Sequence, residues 1–340
     1  MCRQDFIVSQ KSQSRSPLAI RIMGTGRWTG GREVLSTDLL AEAMPDRDPE
    51  RMAARIGIVS RRWADPDTTI ADMGAEALRA ALSDAGLPAS DLHRVIVTCS
   101  TGGDLLIPGA AIDVAHQLGI GDRSLDAFDL SNSCAGFMSA FNMASRCVVT
   151  GDGPSAIIAV EQFSRFIRRE EPRCYVIFGD AAVATVIGPS PGPAALLGAG
   201  FKILSAPGER IEVRHGGRTG QREFIDFGSL SSDVLTEQAL ASLQAAVQVA
   251  LQQAGLRVQD LDWVLPHQPN GEMLARFAAR LGVSEERMVP IVDRAGSVGV
   301  AAVPLSLDEL RRSGRLEPGQ HVLMASVGSG TVAGALVFRS

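Results

Sequence analysis

A cysteine lies where a strand-like segment gives way to a helical one. In residues 128–141, Cys134 follows Ser133 and precedes Ala135 and Gly136. At the start of a helix, a thiol meets free backbone N–H groups and the positive end of the helix dipole, both of which favour thiolate. The sequence therefore predicts a nucleophile for carbonyl carbon. The alternative is a free cysteine that packs as a small apolar side chain.

A histidine occupies a comparable place in the second half of the chain. Residues 262–265 predict a strand, and His267 follows it within Pro-His-Gln-Pro-Asn. The carboxyl edge of the sheet is where α/β proteins usually bind ligands. A neutral imidazole there could take the thiol proton or donate to a developing oxyanion. The alternative is a helix cap, a role that also suits Asn270.

Two turns of small residues supply further candidate site residues. Ser297 lies in a turn that enters a helix, where it could place a hydroxyl beside His267 or simply cap the helix. Gly330 and Gly334 lie in a glycine-rich segment whose backbone could approach a ligand closely. One of their N–H groups could form an oxyanion hole with that of Cys134. The alternative is an ordinary turn between strands.

Composition excludes several classes of function. The chain has 340 residues, 45% of them hydrophobic, and a formal net charge of −5, which gives no electrostatic case for nucleic acid. No apolar run is long enough to span a bilayer, and residues 1–17 predict a loose tail without a secretory signal. Five scattered cysteines without metal-ligand spacing favour a reduced, cytoplasmic protein. These are Cys2, Cys99, Cys134, Cys147 and Cys174.

Strand-like and helix-like segments alternate throughout the chain, as expected of an α/β protein. The pattern begins again after the Pro/Gly-rich residues 188–193. We therefore expect two related halves, residues 18–188 with the cysteine and residues 189–340 with the histidine. In the second half, the sequence predicts a long helix over 231–254, a strand over 288–292 and a helix over 300–312.

Several motifs, in order, closely resemble the β-ketoacyl-ACP synthase III branch of the thiolase superfamily. They lie at residues 55–63, 129–137, 177–182, 266–270, 301–309 and 314–320. The resemblance covers residues 18–339. It implies a five-layered αβαβα thiolase fold, a homodimer and an acyl-thioester intermediate on Cys134. It also implies no tightly bound cofactor or metal, and a phosphopantetheine arm, from CoA or acyl carrier protein, that reaches Cys134 and His267.

Ser297 departs from the family pattern, which usually has asparagine at this position. In the family, that amide helps to hold the thioester carbonyl of malonyl-ACP during decarboxylation. A hydroxyl is shorter and rotates freely. Loss of a preorganised oxyanion donor typically costs about 3–4 kcal/mol of transition-state stabilisation. The substitution therefore weakens the decarboxylative step and leaves acyl loading intact.

The resemblance also suggests where the acyl donor binds. Arg55 matches an arginine that contacts the phosphates of CoA, and Arg51 lies near the place of a tryptophan that commonly stacks on its adenine. Asn270 is a further candidate for the pantetheine arm. Weaker stacking would favour a carrier-protein donor. Its acidic surface could meet three arginines or leave them as a solvated loop. They are Arg165, Arg168 and Arg169.

The expected function is that of an acyltransferase. Cys134 takes an acyl group from acyl-CoA or acyl-ACP and passes it to a second substrate, by transfer or by a non-decarboxylative Claisen-type condensation, in secondary or polyketide metabolism. One alternative is decarboxylative condensation with malonyl-ACP in fatty-acid or polyketide initiation. A second is a catalytically inactive partner in a dimer.

Overall fold

The computed structural model describes residues 16–204, 211–213, 224–228 and 231–340. Eleven strands occur in the described residues: β1 (Ile20–Arg27), β2 (Arg32–Leu35), β3 (Ser60–Trp63), β4 (Arg94–Thr98), β5 (Asp126–Leu130), β6 (Ser155–Gln162), β7 (Asp180–Pro189), β8 (Ala195–Ile203), β9 (Trp263–Pro266), β10 (His321–Gly328) and β11 (Val332–Arg339). The α-helices in those ranges are α1 (Ser36–Ala43), α2 (Pro49–Ile56), α3 (Ile70–Ala85), α4 (Ala110–Gln117), α5 (Gly136–Cys147), α6 (Pro172–Tyr175), α7 (Ser232–Ala254), α8 (Gly271–Leu281), α9 (Val292–Ala295) and α10 (Ala302–Arg312).

The strands form two large sheets and a small one. The first sheet has five strands in the order β1-β7-β6-β4-β5, and the second has four in the order β8-β11-β10-β9. β4 pairs in parallel with both β5 and β6, whereas β1 and β7 pair antiparallel. In the second sheet β9 and β10 are parallel. The remaining pair, β2 and β3, is antiparallel.

Three apolar cores separate five layers. One core packs α3 and α4 against the outer face of the first sheet. A second fills the space between the two sheets, where α5 and α10 lie. A third packs α7 and α8 against the far face of the second sheet. The layers are therefore helix, sheet, helix, sheet, helix, which confirms the predicted thiolase-like αβαβα fold.

The long helix of each half approaches its sheet through glycine. A Cβ at Gly26 of β1 would lie 2.2 Å from the Ala81 nitrogen of α3, and a Cβ at Gly200 of β8 would lie 2.1 Å from the Ala246 oxygen of α7. Only glycine permits this spacing. The same device in both halves explains why the chain is rich in Ala and Gly along these elements.

Local signals fix the ends of several helices. Thr69 and Asp72 form a capping box at the start of α3, and Gly86 ends the helix in the left-handed conformation. The predicted helix over 231–254 is present as α7, and the helix predicted over 300–312 is present as α10, which begins at Ala302.

The predicted strand over residues 288–292 is wrong. Met288 makes only an isolated bridge to Val264, and Val292 begins the short helix α9. The side-chain amide oxygen of Gln268 accepts hydrogen bonds from the Ile291 and Val292 nitrogens, at 2.9 and 3.2 Å. These backbone groups are therefore satisfied without a strand partner.

The predicted tail falls largely outside the described residues, which begin at residue 16. Within the described ranges, no helix combines the length and apolarity needed to cross a bilayer.

Candidate active site

A cavity of about 1240 Å³ brings the main predicted residues together. Cys134, His267 and Ser297 all contribute to its lining. Cys134 follows β5 of the first sheet, and His267 directly follows β9 of the second. The carboxyl ends of strands from both sheets therefore converge on one site, as expected for α/β proteins.

The turn that carries Cys134 is held from the second half of the chain. Ser326 Oγ, from β10, donates to the Cys134 carbonyl at 2.6 Å, and the Ser329 nitrogen donates to Ser133 Oγ at 3.0 Å. Ser133 has a positive φ of 48°. A Cβ at Gly328 would lie 2.6 Å from the Cys134 nitrogen, so glycine lets the two turns touch.

The resting state of Cys134 differs from the sequence prediction. Helix α5 begins at Gly136 with Ala135 as its N-cap, so Cys134 lies before the first helical turn. Burial, with a smaller contribution from the charge of Glu161, raises the thiol pKa to about 12. Hydrogen bonds from Ser100, Ser133 and the backbone act in the opposite direction and are weaker. The resting group is a thiol, and its attack requires a proton acceptor.

His267 is neutral at physiological pH. Only 6% of its surface is exposed, and burial lowers its pKa to about 4. Its backbone nitrogen donates to the Ala325 oxygen at 2.7 Å, which fixes the residue against β10. Among the described residues, Nδ1 has no hydrogen-bond partner. A neutral ring in a shielded cavity can both accept and donate a proton.

Ser297 lies in the cavity wall and is 2% exposed. Its nitrogen donates to the Ile177 oxygen at 2.8 Å, and its oxygen accepts from the Gly179 nitrogen at 3.1 Å. Val298, and not Ser297, occupies the N-cap position of the following 3₁₀ turn. The backbone is thus fixed on both sides, and the helix-cap alternative does not apply.

The two candidate oxyanion glycines have different surroundings. Gly330 lines the cavity, in the turn that contacts Ser133. Gly334 lies within β11, paired with Ser326 on one side and Phe201 on the other. A Cβ at Gly334 would meet Met138 and Phe201, away from the cavity lining. Gly330 therefore stays a candidate, and the structure does not place Gly334 at the site.

The candidate donor-binding residues lie at the edge of the cavity. Arg51 and Arg55 are exposed on α2, whose Met52 and Ile56 line the cavity. Asn270 also lines it, and its side-chain oxygen accepts from the Met273 nitrogen at 2.8 Å, so it caps α8 as well.

The three loop arginines make contacts within the chain. Arg165 forms an ion pair with Asp104 and donates to the Thr68 oxygen. Arg168 lies over the ring of Phe224, and Arg169 lies 3.6 Å from Glu42.

Sequence reasoning missed two residues behind the cysteine. Ser100 lines the cavity just after β4, and Glu161 lies near the end of β6 with 0% exposure. Ser100 Oγ and Glu161 Oε1 are 2.5 Å apart. The sequence did carry one signal: Glu161 ends a strand-like segment whose other residues predict complete burial. A buried acid needs a specific partner, so its presence there indicates a functional or structural contact.

Comparison with known proteins shows the same architecture. Residues 128–202 match the model for 3-Oxoacyl-[acyl-carrier-protein (ACP)] synthase III, and residues 251–340 match that for its C-terminal part. The priming β-ketosynthase of the R1128 polyketide pathway is 30% identical over 94% of this chain and 96% of its own, with a TM-score of 0.86. The 3-oxoacyl-[acyl-carrier-protein] synthase III of Aquifex aeolicus is 26% identical over 94% and 100%, also with a TM-score of 0.86.

A third structure extends the fold comparison. OleA of Xanthomonas campestris, as its E117Q variant, is 21% identical over 97% of this chain and 99% of its own, with a TM-score of 0.84. At this identity the similarity concerns the fold alone.

The fold, with a cavity that a cysteine and a histidine both line, defines a condensing enzyme of the thiolase type, an acyl-transferring transferase. The chain belongs to the 3-oxoacyl-[acyl-carrier-protein] synthase III family.

Proposed function

We propose that Cys134 accepts an acyl group from an acyl-CoA or acyl-carrier-protein thioester and passes it to a second substrate. The observation that carries this proposal is the shared cavity of Cys134 and His267. The sulfur attacks the thioester carbonyl, and the oxyanion receives the N–H groups of Cys134 and Gly330. The pantetheine sulfur leaves as a thiol and carries the proton that Cys134 has lost. Neutral His267 then deprotonates the acceptor of the acyl group.

The size and lining of the cavity favour an apolar acyl group. Its volume of about 1240 Å³ exceeds the roughly 300–1,000 Å³ of ordinary small-molecule sites. That volume has room for a pantetheine arm and for a chain longer than acetyl. Many of the residues that line it are apolar. They include Met44, Met52, Ile56, Phe163, Phe178 and Met273.

Ser297 supports transfer, or condensation with an already acidic carbon, over decarboxylation. Its backbone is held on both sides by hydrogen bonds, and its hydroxyl is shorter than the amide that the family usually has at this position. Without that donor, decarboxylation of a malonyl thioester loses about 3 kcal/mol of stabilisation, or roughly 100-fold in rate. Decarboxylative condensation with malonyl-ACP is the second candidate, supported by family membership.

Intact-mass spectrometry tests the acyl loading. The protein is exposed to acyl-CoA and acyl-carrier-protein panels from acetyl to dodecanoyl. We expect one acyl adduct that is absent from Cys134→Ala. Failure of every donor to form this adduct would instead favour the inactive-partner alternative.

Release of labelled CO2 from malonyl-ACP separates the two enzymatic candidates. We expect slow release by the wild type and faster release, by roughly 100-fold, from Ser297→Asn. Cys134→Ala serves as the control for acyl loading. Rapid CO2 release by the wild type would refute the transfer mechanism.

We also propose a homodimer formed through the edge of the first sheet. Within the described residues, β5 is at the end of its sheet and pairs only with β4. Nearby, Leu106 and Ile107 are 76% and 87% exposed. An unpaired strand edge and exposed apolar side chains favour isologous association with a second copy.

Light scattering after size-exclusion chromatography tests the dimer. We expect the wild type to be dimeric and Leu106→Asp to be monomeric. Ile203→Asp is the matched control because Ile203 is also apolar and 70% exposed, on β8. A monomeric wild type would refute the dimer.

A further inference from the structure

A buried carboxylate lies behind the nucleophile and has no role in the mechanism described so far. Glu161 Oε1 accepts from the Ser100 nitrogen at 3.2 Å, from Ser100 Oγ at 2.5 Å and from the Val300 nitrogen at 3.1 Å. Its Oε2 lies 3.7 Å from the sulfur of Cys99. These contacts are with neutral amide, hydroxyl and thiol groups. A carboxylate held in this way keeps the capacity to accept a proton.

The Ser100 hydroxyl connects this carboxylate to the cavity. Ser100 lines the cavity together with Cys134, and a hydrogen bond from its side chain to the Cys134 sulfur favours the thiolate. The same hydroxyl also reaches Glu161, to which it donates at 2.5 Å. The hydroxyl therefore lies between the sulfur and the carboxylate, and because it can both donate and accept, it can pass a proton from one to the other.

We propose that Ser100 is a further catalytic residue of this enzyme, which takes the proton of Cys134 and passes its own proton to Glu161 behind it. The proposal rests on the acyl loading of Cys134 proposed above. As the sulfur attacks the thioester carbonyl, its proton moves to Ser100 Oγ while the proton of Ser100 moves to Glu161. The new sulfur–carbon bond forms and the bond to the pantetheine sulfur breaks. The proton then returns through Ser100 to the pantetheine thiolate, so none is gained or lost.

The acid–base properties of the groups agree with this path. Burial raises the pKa of Glu161 to about 7, so the carboxylate accepts a proton far more readily than an exposed one. His267, with a pKa of about 4, is the weaker base in the resting enzyme. Transfer of the thiol proton to Glu161 also removes the carboxylate charge that opposes the thiolate.

Few charges act on Glu161 from the surrounding elements. The thiols of Cys99 and Cys134 face it, and both have pKa values raised by burial and by its charge. The charged residues of the neighbouring strands are bound to different partners: Arg94 of β4 to Asp126 and Asp152, and Asp180 of β7 to Ser164 and Ala64. On α3, Asp72 and Glu76 are bound to Thr69, Gln117 and Thr29, Arg79 to the Gln117 oxygen, and Asp84 to Thr25 and Arg311. On α5, Arg146 is exposed.

A purely structural role for Glu161 makes the opposite prediction. The Val300 and Ser100 contacts anchor the 3₁₀ turn at Gly299–Ala301 and the segment after β4. If anchoring were its only role, the negative charge would simply repel the thiolate, and Glu161→Gln would make Cys134 more reactive. Glutamine preserves the size of the side chain and its oxygen acceptor, but it cannot take the proton.

The experiment follows alkylation of Cys134 by iodoacetamide between pH 6 and 10, with peptide mass spectrometry and Cys134→Ala as the blank. For the wild type we expect the rate to rise through about pH 7, as Glu161 ionises, and then to level off. In Glu161→Gln the rise near pH 7 disappears, and the rate at pH 8 falls by roughly 100-fold. Ser100→Ala behaves like Glu161→Gln, and Ser100→Thr restores the wild-type profile.

Asp180→Asn is the matched control because Asp180 is another buried carboxylate of the same sheet, bound to Ser164. In this variant the alkylation rate of Cys134 should still rise near pH 7. Alkylation of Glu161→Gln at or above the wild-type rate at pH 8, or an unchanged Ser100→Ala, would overturn the proposal. If Glu161→Gln does not fold, the comparison of Ser100→Ala with Ser100→Thr tests the proposal, because Ser100 is only half-buried.

Iodoacetamide needs no acyl donor, so the two proposals fail separately. If the alkylation rate of the wild type rises near pH 7 but the protein takes no acyl group, the proton path stands and the acyl loading is refuted. If the wild type is acylated at Cys134 but its alkylation rate does not rise near pH 7, the acyl loading stands and the proton path is refuted.

Discussion

Acid should destabilise the protein through His267. Burial lowers the pKa of this ring from 6.5 to about 4 in the native state, whereas the unfolded chain titrates near 6.5. The native state therefore binds this proton less readily, and its stability falls as pH drops from 6.5 towards 4. At about 1.36 kcal/mol per pKa unit, the loss is about 2 kcal/mol at pH 5 and about 3 kcal/mol at pH 4.

Urea unfolding of the wild type and His267→Asn at intervals between pH 7.5 and 4 measures this contribution. Asparagine does not titrate, so the difference in unfolding free energy between the two proteins isolates the histidine. We expect the wild type to lose about 3 kcal/mol more than the variant over this range. His93→Asn, at an exposed position, is the matched control for loss of a histidine. Parallel curves for wild type and His267→Asn would refute the burial argument.

Three further changes follow from the contacts around the site. The wild type should lose about 3 kcal/mol of unfolding free energy relative to Glu161→Gln between pH 4 and 8, because the Glu161 carboxyl has a pKa of about 7 in the native state and must ionise as pH rises. Parallel urea-unfolding curves for the two proteins would contradict this. Gln268→Ala should cost about 3–5 kcal/mol in urea unfolding, since it leaves several buried groups near Val289 and Ile291 without partners; a cost below about 1 kcal/mol would contradict this. Asn270→Ala should lower stability by about 1 kcal/mol and Asn270→Asp should not, because only aspartate keeps the cap of α8; equal calorimetric losses would contradict the capping role.

The helix that the sequence predicted over 231–254 has local determinants at both ends. Ser231 Oγ accepts from the Val234 nitrogen at 3.4 Å, and Gly255 ends α7 in the left-handed conformation. By contrast, β2 and β3 were missed. They are four residues long, carry several arginines and owe their pairing to each other across the intervening helices.

Distant contacts account for the errors in the second half. Residues 288–292 are apolar enough for a strand, and no local signal distinguishes them from one. The side chain of Gln268, more than twenty residues earlier, binds the Ile291 and Val292 nitrogens and replaces strand pairing. The strand prediction failed because a buried amide can satisfy backbone groups as well as a neighbouring strand can.

The candidate residues that each follow a strand were predicted from local pattern. Small residues mark the end of β5 before Cys134, a Pro-His-Gln-Pro-Asn segment marks the end of β9, and the structure brings Cys134 and His267 to one cavity. The raised pKa of the Cys134 thiol was not predictable, because it depends on burial and on Glu161. The link between Glu161 and Ser100 joins residues 61 positions apart, which local pattern cannot reveal.

The uncharged resting state of the site suits a covalent acyl shuttle. A thiol with a pKa of about 12 and an imidazole with a pKa of about 4 are both neutral at pH 7, so Cys134 and His267 do not form a thiolate–imidazolium pair. The thiolate fraction is then only about 10⁻⁵, which limits reaction with other electrophiles. Acyl exchange between two thiols consumes no net proton. A base that borrows the proton during attack and returns it to the leaving sulfur is therefore sufficient, and a permanently ionised cysteine is not required.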